Sequence, residues 1–369
     1  MKILLIDNSS MVCFNGEACV YKATGDFASE LGRHHELKFY GQLVKSNNSV
    51  SEFGLEKNGF DYAGVWRRKS KIINYILLYF RVIPEVMKSD FVYIFYPSAL
   101  KYVALICWLT SKPYGVYVRG EHGIDDKVSI FFYKKSKVIF TVTELFTKKI
   151  NSITKNGNAH TIRPMIPFSE KDIIYRPKPS KRDGFNILFL ARMDRDKGVE
   201  ELLYAINELR YVRPKIFLTL IGDGNYLPRV RSLISELGIS DFVAIRGGVH
   251  CVDDIKSAYL KADLYILPTY HEGFPRTIYE AMIFGAPIAT TLVGGIPGLM
   301  QDKVNCLEIK PKSAKSIVEQ VLFAIDNPDY LYGLSVNARE LVREVVDIDR
   351  QSHAEHLHEI IDNGIDNNE

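Results

Sequence analysis

The sequence predicts an α/β protein built from two doubly wound domains, and three observations carry that expectation. Short apolar runs alternate with helical stretches through both halves of the chain. A segment rich in proline and charge separates the halves. The length of 369 residues suits two domains better than one.

In the first half, apolar runs at residues 2–6, 36–40, 91–95, 114–118 and 137–142 read as strands, with helical stretches at 23–32 and 100–110 among the intervening segments. The second half repeats the scheme at 185–190, 215–221, 243–245, 264–267, 287–290 and 306–309, a likeness of pattern rather than a sequence repeat. Between them, Arg176-Pro177-Lys178-Pro179-Ser180-Lys181-Arg182-Asp183-Gly184 lacks apolar periodicity and has the chemistry of a linker. The expected division is a first domain at 1–170, a linker at 171–184, a second domain at 185–350 and a C-terminal helix and tail at 351–369. Ligands of doubly wound sheets bind beyond the carboxyl ends of the strands. Functional residues are therefore expected in strand-to-helix loops facing a central cleft.

The composition is that of an ordinary globular chain, 47% hydrophobic and 25% charged. Its five cysteines, Cys13, Cys19, Cys107, Cys251 and Cys306, show neither CxxC nor Cys/His clustering, so they are expected to be reduced and structural in a cytoplasmic protein. The opening Met1-Lys2-Ile3-Leu4-Leu5-Ile6-Asp7 reads as a strand rather than a signal peptide. The longest apolar segments, 72–80 and 102–109, fall far short of the roughly 20 residues that cross a bilayer. The net charge of +3 hides an asymmetry: residues 1–172 hold 24 Lys+Arg against 16 Asp+Glu, and residues 173–369 hold 23 against 28. A cationic half attracts anionic lipid, nucleic acid or an acidic acceptor alike. Arg67-Arg68-Lys69 and Lys71 ahead of the aromatic-rich 72–80 stretch suit an anionic membrane surface, and equally a buried helix with a solvated basic approach.

The strand at 264–267 leads through Pro268-Thr269-Tyr270-His271-Glu272-Gly273-Phe274 to a helix expected to start at Pro275 or Arg276 and to end at Phe284, with Gly285 as its left-handed cap. Glu272 then precedes the helix and Glu280 lies just over one turn inside it. Carboxylates so placed grip vicinal hydroxyls well, and also serve simply to stabilise a helix N-terminus. After the strand at 185–190, Arg192 and Lys197 occupy a loop with a helix N-terminus behind them, which suits a diphosphate or an ordinary solvated loop. Gly222 and Gly224, and Gly294 and Gly295, follow two further strands, where backbone approaches a ligand or merely turns.

Taken in order over about 130 residues, these motifs resemble the retaining GT-B glycosyltransferases of family 4, the group 1 glycosyl transferases. The match comprises Phe189-Leu190-Ala191-Arg192 with Lys197-Gly198, Ile221-Gly222-Asp223-Gly224, Ala262 to Pro268, Glu272-Gly273-Phe274-Pro275 with Glu280-Ala281-Met282, Gly285 to Thr290, and Gly294-Gly295-Ile296-Pro297. The resemblance implies a GT-B fold of two Rossmann-like domains. It also implies that Arg192 and Lys197 hold the donor diphosphate, Glu272 contacts the donor sugar, Glu280 holds the ribose, and amides of Gly273 and Phe274 help bind sugar or phosphate. In the first half, Gly16 stands at the family's glycine-rich loop, Gly32-Arg33-His34-His35 near its Gly-His segment, and His122 by resemblance contacts donor sugar or acceptor, with Thr143-Glu144 on the same wall. A capping or packed histidine is the other reading of His122. The chain departs from the pattern at Gly298, where the family has Glu, and at Asn305-Cys306 and Pro164-Met165, where it has Asn-Gly.

The implied reaction is transfer from a UDP- or GDP-sugar to a glycan or lipid-linked glycan with retention of configuration, in surface polysaccharide biosynthesis. No metal is expected, since Asp194/Asp196 lie inside the phosphate loop and Asp347/Asp349 follow no strand. No nucleic-acid partner is expected. Three other readings compete. A nicotinamide-dependent oxidoreductase would need GxGxxG after the first strand, where Asp7-Asn8-Ser9-Ser10-Met11 stands instead. A sugar-nucleotide epimerase or hydrolase would share the donor residues. A non-catalytic carbohydrate-binding or scaffold protein would not need Arg192, Lys197, Glu272 and Glu280 intact.

Overall fold

A computed structural model describes residues 1–7, 10–14, 16–45, 53–96, 100–121, 123–176, 184–249, 251–347 and 351–366, the last three by backbone alone. In chain order the first half forms β1 (Lys2–Ile6), β2 (Met11–Phe14), β3 (Glu17–Val20), α1 (Lys22–Leu31), β4 (Glu36–Lys45), β5 (Phe53–Gly54), β6 (Asp61–Trp66), α2 (Lys71–Lys88), β7 (Phe91–Tyr96), α3 (Val103–Leu109), β8 (Tyr114–Val118), α4 (Lys127–Lys135), β9 (Val138–Thr141), α5 (Glu144–Thr154) and β10 (Ala159–Thr161). The second half forms β11 (Phe185–Leu190), α6 (Val199–Val212), β12 (Ile216–Ile221), α7 (Leu227–Glu236), β13 (Val243–Gly247), α8 (Val252–Lys261), β14 (Leu264–Leu267), α9 (Arg276–Ile283), β15 (Ile288–Thr290), β16 (Leu307–Glu308), α10 (Ala314–Asp326) and α11 (Pro328–Val346). A last helix, α12 (His353–Asp366), closes the chain. Two units result: Met1–Pro167 with Asp349–Glu369, and Phe168–Ile348.

In the first unit the strands run in the order β10-β9-β8-β7-β1-β4-β2-β3-β5, with β6 also paired to β4. The central strands are parallel, and every side chain of β7 and β8 is buried, as a sheet covered on both faces requires. The excursion β2-β3-β5 is antiparallel. Its first turn, between the paired Phe14 and Glu17, contains Gly16 at φ +85°. An Asn-Gly pair between two extended runs is a strong hairpin signal. Gly16 therefore turns a hairpin instead of lying in an open loop after β1, as the family resemblance places it.

The C-terminal helix does not form a separate tail. Ala354, Leu357 and Ile361 of α12 are buried in the first unit's core with Phe27, Leu31, Tyr93 and Phe140. Nor is the expected linker free throughout. Ile174 N–H donates to the Ile283 carbonyl, and the Arg176 guanidinium donates to the carbonyls of Tyr259, Leu260, Ala262 and Gly285, so residues up to 176 belong to the second unit.

The second unit's sheet is wholly parallel, in the order β13-β12-β11-β14-β15-β16. Chain order reverses between β11 and β14, since β12 and β13 are added on one side of β11 while β14 to β16 are added on the other. In doubly wound sheets ligands bind at such a reversal, beyond the carboxyl ends of the strands.

Candidate functional site

Four neighbouring strands of the second unit, β12, β11, β14 and β15, send their carboxyl-end loops to this edge, and the loops are tied to one another. Met193 N–H donates to the Asp223 carbonyl and Tyr226 N–H to the Met193 carbonyl, joining the loops after β11 and β12. Tyr270 N–H and Thr269 Oγ1 both donate to the Asp196 carbonyl, at 2.7 and 3.2 Å, joining the loops after β11 and β14. Thr291 Oγ1 donates to the Thr269 carbonyl and Gly295 N–H to that of Glu272, joining the loops after β14 and β15. Backbone bonding between adjacent loops fixes the side chains they carry.

The glycines explain how the loops come so close. A Cβ on Gly294, whose φ is +61°, would stand 1.9 Å from the Glu272 carbonyl oxygen, and one on Gly222 would stand 1.8 Å from that of Ala191. Only glycine fits either place. Gly224 has a similar neighbour in the Met193 carbonyl. Gly222, Gly224 and Gly294 thus serve the close approach of one backbone to another, a role apart from the ligand approach or plain turn expected from their spacing.

Lys197 and Glu272 meet at the centre. Lys197 Nζ lies 2.5 Å from Glu272 Oε1, 3.5 Å from the His271 carbonyl and 3.6 Å from Asp196 Oδ2, with the lysine side chain 8% and the glutamate 18% exposed. A partly buried ion pair of this kind orients both groups while leaving oxygens and protons for a ligand. Arg192 is the outer cation: its side chain is 70% exposed and bonds Asp194 Oδ2 at 2.9 Å. Most of its side chain reaches into solvent.

The helix after Glu272 starts at Arg276, with Pro275 as its N-cap and no side chain capping its amides; Gly285 follows its end at φ +65°. Phe274 is buried and packs against Tyr279 with the rings tilted and their centroids 4.5 Å apart, which anchors the Gly273-Phe274 turn from behind. Glu280 is held by Tyr259, whose hydroxyl lies 3.1 Å from Oε2 and 2.9 Å from the Thr277 carbonyl. Burial pushes the Glu280 carboxyl above its ordinary range, against the opposing effects of the Tyr259 bond and the Arg276 charge. Tyr259, on α8, was not evident from sequence as a site-supporting residue. A lone tyrosine at a helix end carries no motif, and only the packing of α8 beside α9 gives it a role.

In the first unit, Arg119, after β8, pairs with Asp7, after β1, at 3.9 Å, so carboxyl-end loops carry charge there too. Glu144 starts α5 behind the N-cap Thr143, which accepts a bond from Phe146 N–H, and faces solvent in an ion pair with Lys148. His122 lies outside the described residues. His35 packs in the seam between α1 and α12, with Nε2 3.1 Å from His358 Nδ1. His34 stacks on the same His358 ring.

Residues 170–341, a little under half of the chain, match the family model of glycosyl transferases group 1, and the two α/β units have the fold of solved GT-B structures. Particular relatives give it context. The chain is 32% identical over 160 residues to an uncharacterized glycosyltransferase of Methanocaldococcus jannaschii, covering 42% of this chain and 40% of that one. It is 24% identical over 203 residues to the GDP-mannose-dependent α-(1-6)-phosphatidylinositol monomannoside mannosyltransferase of Mycobacterium tuberculosis, covering 50% and 52%. The chain thus spans about half or less of the length of these relatives. Among solved structures, Anabaena HepE in complex with UDP-glucose superposes with a TM-score of 0.69 over 100% of both chains at 15% identity.

Proposed function

We propose that this protein is a glycosyltransferase that moves a sugar from a UDP- or GDP-sugar to a glycan or lipid-linked glycan acceptor with retention of anomeric configuration, in surface polysaccharide biosynthesis. The observation that carries the reading is the Lys197–Glu272 pair, 2.5 Å apart, at the point where the second unit's sheet reverses its order. There a cation suited to a diphosphate stands beside a carboxylate suited to sugar hydroxyls. The HepE complex and the GDP-mannose-dependent relative support a nucleotide-sugar as donor class, and the phosphatidylinositol-mannoside acceptor of the latter supports a lipid-linked acceptor.

In this reading Lys197 and Arg192 offset the negative charge that grows on the departing diphosphate. Glu272 accepts hydrogen bonds from the transferred sugar, and Glu280 accepts them from the ribose hydroxyls. The bond from the anomeric carbon to the phosphate oxygen breaks, the bond to the acceptor oxygen forms on the same face, and the acceptor proton passes to the departing phosphate. No side-chain nucleophile takes part, and turnover should survive EDTA undiminished.

A screen of UDP- and GDP-sugars for nucleoside diphosphate release, followed by NMR of the product's anomeric proton, tests the proposal. Release from one donor class with a retained product is expected. An inverted product overturns retention, and no release from any donor overturns the donor assignment.

A further inference from the structure

We infer that the outward face of α2 and α3 in the first unit is a docking surface for an anionic phospholipid membrane. This deepens the lipid-linked-acceptor part of the reading above and rests on it for the choice of occupant.

Helix α2 buries one stripe, Asn74, Leu78, Val82 and Val86, against the sheet. A soluble helix with one buried stripe ordinarily turns a polar face to water. Here the outward stripe is apolar instead: Ile72, Ile76, Phe80, Ile83 and Met87 recur at spacings of three and four, and Ile72, Ile76 and Phe80 are 74%, 62% and 73% exposed. Neighbouring α3 repeats the arrangement. It buries Val103, Ala104 and Cys107, and exposes Leu105, Trp108 and Leu109, the last by 68%. Tyr79 and Tyr102 bring the two helices together, with ring centroids 6.3 Å apart and Tyr102 N–H donating to the Tyr79 hydroxyl. The two exposed apolar stripes therefore lie side by side on one face of the sheet, with the half-exposed Trp66 at the end of β6 just before α2.

Scattered exposed apolar side chains need no explanation, but stripes on adjacent helices do. Charge selects the occupant. From Trp66 to Lys88 the chain carries Arg67, Arg68, Lys69, Lys71, Arg81 and Lys88 against the single acid Glu85, which is engaged by Lys38 at 2.8 Å. Arg67, Arg68, Lys69 and Lys71 are all exposed and sit at the N-terminal approach to the apolar stripe. An apolar helix face with cations gathered at its end, and with Trp and Tyr among its residues, matches a bilayer interface: acyl-chain boundary for the apolar groups, lipid phosphates for the cations, and the headgroup zone for the aromatic rings. No described helix is long and apolar enough to cross a membrane, so the surface would lie on the bilayer.

The test is flotation of the purified protein with phosphatidylcholine vesicles, with and without phosphatidylglycerol, at low and high salt. Binding only to the anionic vesicles, weakened by salt, is expected. The exposed-site variants I72S/I76S/F80S and R67S/R68S/K69S/K71S should each bind about tenfold or more weakly, given the contribution of each cation near an anionic surface. Both should keep the wild-type circular dichroism and thermal melt. Light scattering on the same samples distinguishes the alternative occupant. A wild-type dimer that I72S/I76S/F80S converts to monomer, without vesicle binding, assigns the face to self-association and overturns the inference. Wild-type binding by either variant overturns it as well. Nucleoside diphosphate release from donor in detergent, without vesicles, reports the donor reading separately.

Discussion

Burial raises the Glu280 carboxyl above its ordinary range, so the folded state favours the protonated form. For an acid shifted this way, stability is highest at low pH and falls as pH rises from the unfolded value toward the folded one. Glu280→Gln keeps an acceptor for Tyr259 and removes that penalty. It should melt higher than wild type near pH 7 while losing donor turnover, the combination expected of a residue retained for function. Lys197→Ala acts differently, because it leaves Glu272 partly buried without its cation. Turnover should drop about 100- to 1,000-fold, as when one charge-stabilising group is removed. Stability should drop by about 2 kcal/mol, below the ~3–5 kcal/mol of a fully buried pair. Donor-release kinetics and urea melts measure both effects. Gly294→Ala should displace the Glu272 carbonyl it would touch, and cost about 1–3 kcal/mol for its positive φ alone. Wild-type activity and stability in that variant would show that the loop after β15 is free to move.

At the scale of elements, α12 gives the clearest test. His353 is buried among Phe27, Tyr93, Tyr117 and Phe140, with Nε2 2.5 Å from the Tyr93 hydroxyl, and burial drives its pKa well below the ordinary value. Burial also lowers His35, His160 and His356 at the same seat. A base whose folded pKa is depressed contributes stability above its unfolded pKa and loses it as pH falls. Hydrogen exchange across residues 353–361 should therefore accelerate as pH falls below about 6.5, after correction for the intrinsic rate. Leu357→Ala, at a fully buried position, should cost about 2–5 kcal/mol. The alternation of strand and helix was readable from apolar periodicity. The seat of α12 was not, because the spacing of Ala354, Leu357 and Ile361 specifies an amphipathic helix without naming the surface it covers.

Across the whole molecule, a nucleoside diphosphate that binds the native state should stabilise it by about 2.7 kcal/mol at 100 times its Kd. Slowed hydrogen exchange should be concentrated in the loops after β11, β12, β14 and β15. Protection elsewhere in the second unit would move the site. The sequence by itself determined the alternation of strands and helices in both units, the boundaries of α9 with Glu280 inside it to within a residue, and the loops that carry Arg192, Lys197 and Glu272. These follow from local rules: apolar runs make buried strands, Gly285 ends a helix, and strand-to-helix turns gather glycine and charge. Only the tertiary structure decided the rest. It paired Lys197 with Glu272, which lie 75 residues apart in the chain. It set Tyr259 on Glu280, made Gly16 a hairpin turn, returned α12 to the first unit, and turned the apolar stripes of α2 and α3 outward. Each of these depends on which strands become neighbours, and that is fixed by the burial of the whole chain rather than by the residues beside each position.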